Sequence, residues 1–149
     1  MKSHDLSRYA DSVRLVMYHK QATSARTRYL QLPGNSICAF QPLPVGAELL
    51  SSSAGESEVV QHPGAMIAAT EKWLGIEDGT LELQSDFKAR VVVGDQTLNI
   101  YLVRFTDIDP PFMAASEVGA SFIAITEARN LPPIELEILR KSYEYIMEG

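Results

Sequence analysis

Apolar residues recur at intervals of three and four from Leu6 to Met17, at Leu6, Tyr9, Ala10, Val13, Val16 and Met17, the period of one helix face. This spacing predicts an N-terminal helix over about residues 5–20, capped by Asp5 or Ser7. The β-branched Val13 and Val16 keep a strand starting near Val13 open as the alternative. The pattern then shortens. Arg28–Leu32 and Ser36–Phe40 read as two strands, flanked by the turn residues Pro33-Gly34-Asn35 and by Pro42. Pro42 to Gly64, with three prolines, three glycines and a serine triplet, reads as a loop ordered only around Ala47–Leu50. Loops of this kind often carry function.

Helical spacing returns at 63–74, opened by Pro63 and closed by Gly75 at a C-terminal cap position. Met66, Ile67, Ala69, Trp73 and Leu74 cover most of its circumference, which predicts packing against a sheet with little surface left for solvent. Leu81–Leu83, Phe87–Val93 and Leu98–Phe105 are β-rich, and the last two flank Gly94-Asp95, a two-residue hairpin turn. A short helix at 113–118 and a strand at 122–125 follow. The chain closes with an amphipathic helix from Pro132-Pro133 to Met147. Ile134, Ile138, Leu139, Tyr145 and Ile146 form its apolar side, opposite Glu135, Glu137, Arg140 and Lys141.

Composition narrows the class. At 149 residues, 46% hydrophobic and 21% charged, the chain has the size and balance of one globular α+β domain spanning 1–149. A net charge of -6 without a dense Lys/Arg cluster disfavours nucleic acid as a partner. No apolar run approaches the roughly 20 residues of a membrane span, so no membrane partner is expected. Cys38, the only cysteine, lies in the apolar run Ile37–Phe40, as a buried thiol of a reducing, cytoplasmic compartment would. His4, His19 and His62 offer it no evident base.

From the loop before Gly75-Ile76 onward, the order of parts is helix, strands, Tyr101-Leu102-Val103-Arg104-Phe105, an acidic Pro-Pro loop, a strand and a terminal helix. Together with Gly119–Arg129 and Leu131-Pro132-Pro133, this order resembles the Nudix superfamily over about residues 54–148. The resemblance implies a mixed sheet sandwiched between helices and, in an active member, Mg²⁺-assisted hydrolysis of a nucleoside diphosphate derivative. The metal is held in the family by adjacent glutamates, which here fall on Lys72 and Trp73; the Arg-Glu pair falls on Ala68 and Ala69. The upstream glutamate falls on Gln61 when Gly55 takes the place of the first glycine. Hard carboxylates recurring on one helix face are what Mg²⁺ requires, and the helix at 63–74 offers only Glu71. The expectation is therefore a non-hydrolytic protein without a cofactor that binds a nucleotide-derived or other small ligand. Two alternatives stay open: a divergent Mg²⁺-dependent hydrolase using Glu56, Glu58 and Glu71, and a homodimeric interaction module.

The candidate ligand contacts are Arg28, Glu71, Arg90 and Arg104. Arg90 and Arg104, on neighbouring strands, either clamp an anion across the sheet or bridge to Glu82 or Asp86. Asp107 and Asp109 are cation candidates that equally suit a turn before Pro110. His62, beside Pro63, could donate a proton near a helix N-terminus. No nucleophile elbow, Walker loop, dinucleotide fingerprint or zinc motif is present in the sequence.

Overall fold

The computed structural model describes residues 13–39, 41–50 and 63–148. Its order is β1 (Val13–Lys20), β2 (Thr27–Gln31), β3 (Cys38–Ala39), β4 (Glu48–Leu49), α1 (Gly64–Leu74), β5 (Leu81–Leu83), β6 (Ala89–Val93) and β7 (Gln96–Phe105). Then come α2 (Phe112–Glu117), β8 (Ser121–Ala124), a 3₁₀ turn (Ile125–Glu127) and α3 (Pro133–Glu148). All eight strands join one sheet in the order β4-β6-β7-β1-β2-β8, with β3 beside β1 and β5 beside β7. The sheet is mixed: β1 and β7 run parallel at its centre, and every other pair is antiparallel. The α+β expectation is met. Among the described residues no helix is long and apolar enough to cross a membrane.

Where a helix was expected to run to residue 20, Val13–Lys20 is a strand. As the central strand, β1 is buried on both faces along nearly its whole length. A near-continuous apolar run satisfies a helical and a strand period at once, and the β-branched Val13 and Val16 favour the strand. Residues 5–12 of the expected helix lie outside the described residues.

Alternation along β1 and β7 sorts the core into two layers. Val16, Tyr18, Leu98, Ile100 and Leu102 face α3 and pack with Ile138, Leu139 and Ile146. Leu15, Met17, Val103 and Phe105 face the other way, against Met66, Ile67 and Leu74 of α1 and Ala115 of α2. Helices thus cover both faces of the sheet. As its composition predicts, α1 leaves only Ala65, Ala68 and Lys72 exposed, and Gly75 ends it at φ 73°, the left-handed conformation that glycine adopts without penalty.

Polar side chains fix how α3 docks. Glu135, expected on its solvent side, is fully buried: its carboxylate accepts hydrogen bonds from the Ser36 hydroxyl and the Ile37 amide, both at 2.8 Å. Two turns along the same face, the buried Ser142 hydroxyl meets the Tyr29 hydroxyl at 2.7 Å. Amphipathic spacing assigns a glutamate to water by default. Here two donors from the β2–β3 connection replace that water.

Candidate functional site

The four residues singled out from sequence fall in four places. Glu71 is buried at the C-terminal end of α1, where its Oε2 accepts the backbone N–H groups of Gly79 at 3.0 Å and Leu81 at 2.9 Å. It holds the α1–β5 connection against the helix, and such charge-assisted bonds each contribute about 1.5–3 kcal/mol. Arg28 lies on β2 with its guanidinium 5.5 Å from the centre of the Phe112 ring. Arg104 lies on the α3 face, 3.8 Å from its cross-strand neighbour Glu82, the bridge weighed above.

Arg90 lies on the opposite face from Arg104. It sits directly across from Asn99, which is five positions before Arg104 on β7 and therefore points to the other side. No clamp joins the two arginines. Glu56, Glu58 and His62 lie outside the described residues. Asp107 and Asp109 tie their loop to the end of β1: the Asp107 carbonyl accepts from His19 Nε2 at 2.8 Å, and Asp109 Oδ1 accepts from Gln21 Nε2 at 2.6 Å. His19 is fully buried on the α1/α2 side of the sheet, whereas Cys38 pairs with Val16 on the α3 side, so the two share no site.

Cys38 itself is buried, and its thiol is pushed well above the usual range. Burial is the main cause, the nearby Glu135 carboxylate adds to it, and the Arg14 guanidinium opposes both. A thiol held neutral in this way is a poor nucleophile. Among the described residues no group of three His, Cys, Asp or Glu side chains is arranged to hold a metal ion.

What the register does assemble is a polar strip on the α1 side of the sheet, over the N-terminal half of β7. Arg90 and Asn99 are cross-strand neighbours; Val13 of β1 stands next to Asn99, and Tyr101 follows two residues along the same face. Beyond them, Thr97, Val92 and Glu48 form a second row. Directly opposed side chains in a sheet lie about 5 Å apart at Cβ, so the Arg90 guanidinium neighbours the Asn99 carboxamide, with the Tyr101 phenol further along the same face. All three are half-buried. Burial raises the Tyr101 pKa, so its hydroxyl stays a hydrogen-bond donor. On this same face Leu15, Met17, Leu30, Val103 and Phe105 pack beneath α1 and α2. The strip is where the apolar layer gives way to groups able to hold an anion and an amide- or ring-bearing ligand.

The sequence contained the signal for this strip. Counting outward from the Gly94-Asp95 turn puts Arg90 opposite Asn99 and Val92 opposite Thr97. The same count separates Arg90 from Arg104.

A surface depression of about 330 Å³ lies elsewhere, around the Phe87–Tyr145 aromatic pair. Lys88 and Lys141 mingle there with Asp86, Glu144 and Glu148, so its walls select no ligand charge. The strip, in contrast, sets Arg90 beside the neutral Asn99 and Tyr101 among the described residues.

No protein-family model matches the chain, and no curated protein matches it significantly. The class defined by fold and site is an α+β protein with a mixed sheet between helices and a polar strip on one sheet face.

Proposed function

We propose that this chain is a non-hydrolytic, Nudix-like binding module that takes a small anionic ligand, of the nucleotide-derived class, on the strip formed by Arg90, Asn99 and Tyr101. The observation that carries the reading is the register pairing of Arg90 with Asn99 on the half-buried α1 face, next to Tyr101. Arg90 supplies charge and a planar donor fork for a phosphate or carboxylate. Asn99 offers both a donor and an acceptor to a base or sugar edge, and the Tyr101 ring offers a stacking surface with a polar tip. Binding without hydrolysis is supported by Glu71, the one carboxylate on α1, whose Oε2 is occupied by two backbone amides. With Oε2 taken by two backbone amides, this carboxylate keeps only Oε1 for any other partner.

The test is a thermal-shift titration of the full chain with nucleoside diphosphates and their sugar derivatives, in Mg²⁺ and in EDTA. A ligand at a hundredfold excess over its Kd stabilises by about 2.7 kcal/mol, which for a chain of this size is on the order of 8 °C. The expected result is a shift of equal size with and without metal, with the ligand recovered intact. A shift that requires Mg²⁺, with the diphosphate cleaved, overturns the reading in favour of a hydrolase.

A further inference from the structure

Tyr101, the Arg90–Asn99 pair and the row of Glu48, Val92 and Thr97 follow one another along the strip. The last row is fixed from behind. Leu49 pairs with Val91 and both pack in the core layer on the α3 side, which turns Glu48 and Val92 to the α1 side. Tyr101 and Thr97 lie four residues apart on β7, about 13–14 Å of extended chain. Exposure rises in the same direction, from the half-buried Tyr101, Arg90 and Asn99 to the exposed Thr97 and Glu48.

Glu48 gives its row a chemistry opposite to that of Arg90. An ionised carboxylate accepts hydrogen bonds and donates none, and it repels anions. Thr97, across Val92 in the same row, adds a hydroxyl that both donates and accepts. Glu48 opposes Val92, two residues from Arg90, and such diagonal neighbours lie about 7–8 Å apart, close enough for one ligand to meet both. A ligand whose ring lies on Tyr101 and whose anion rests on Arg90 and Asn99 carries its next group to the Glu48 row. A hydroxyl there finds an acceptor. A terminal phosphate, with about -1.5 to -2 charges near pH 7, meets a like charge.

Taking the strip as the anion site proposed above, we infer that Glu48 determines its specificity, accepting from a hydroxyl-bearing end of the ligand and excluding a terminal phosphate. The ligand so selected carries its negative charge internally, between a ring and a neutral polyhydroxyl group. Repulsion of the wrong group discriminates as well as attraction of the right one, and here one side chain supplies both.

Calorimetric titration of the full chain, in EDTA near neutral pH, tests the assignment with uridine and adenosine diphosphates, each free and esterified on the outer phosphate with glucose. The wild type is expected to bind the glucose esters at least about fivefold more tightly than the free diphosphates. Glu48→Gln keeps an acceptor and loses the charge, so the free diphosphates gain affinity, the esters hold theirs and the ratio falls towards one. Glu48→Lys reverses the order. Glu48 is exposed on an edge strand, so both variants are expected to keep the wild-type melting temperature. A wild type that prefers the free diphosphates, or a ratio that Glu48→Gln leaves unchanged, overturns the role of Glu48 and leaves the anion site standing. A wild type that binds neither form overturns the anion site itself and the role of Glu48 with it.

Discussion

The Tyr18 phenol, buried between the sheet and α3, has its pKa raised from the ordinary 10 to about 12 by burial, a shift that the nearby Arg104 guanidinium partly offsets. Between those pH values the unfolded chain has released this proton while the folded chain keeps it. The unfolded state then binds fewer protons, so stability falls as pH rises, and the contribution is fully present below pH 10. Burial raises Tyr29 as well, and it acts in the same direction. Urea unfolding at a series of alkaline pH values is expected to show a falling free energy of unfolding, with a shallower fall in Tyr18→Phe. A profile unchanged by that substitution would contradict this account of Tyr18. Glu135 makes a different demand. Glu135→Ala leaves the Ser36 hydroxyl and the Ile37 amide buried without their acceptor, at a cost of about 3–5 kcal/mol. A lower urea midpoint at unchanged m-value is the expected result.

Among elements, the α1–β5 connection depends on one side chain. With Glu71 replaced by alanine, the amides of Gly79 and Leu81 lose a charged acceptor, and the chain is expected to lose about 2–4 kcal/mol. Hydrogen exchange locates the loss: those two amides should exchange faster while the paired amides of β7 keep their protection. Uniform loss of protection across β7 would mean that Glu71 supports the whole sheet and not this connection alone. The elements themselves were largely legible. Gly94 and Asp95 mark a two-residue turn, and the structure realises it with φ 59° at Gly94, the first of the pair, as a type II′ turn requires. Pro63 and Gly75 bracket α1 as their backbone preferences dictate. Val13–Lys20 was harder to read, because a central strand buried on both faces loses the alternation that identifies strands. Glu71 and Glu135 were misleading for a related reason. Periodicity assigns a carboxylate to solvent, and here two backbone amides hold Glu71, while one amide and one hydroxyl hold Glu135, the amide coming from 98 positions away in the chain.

For the whole molecule, the central parallel pair β1–β7 divides the structure into an α3 layer and an α1/α2 layer. The candidate site follows from that division, since only register decides which polar residues share a face. Arg28, Glu71, Arg90 and Arg104 were chosen by residue type and were scattered by the fold. Arg90 and Asn99 were paired by it, and the turn count that pairs them was available in the sequence. The exposure of Ile108, Phe112 and Met113 was not, because it depends on how α2 seats against β8 and the β1–β2 turn.

The most direct test of the binding claim is calorimetric titration of nucleoside diphosphate derivatives into the full chain in EDTA, repeated with Arg90→Ala and Asn99→Ala. Metal-independent binding to the wild type is expected, weakened by about tenfold or more in each variant. Binding that survives both substitutions, or that appears only when Mg²⁺ is restored, would contradict it.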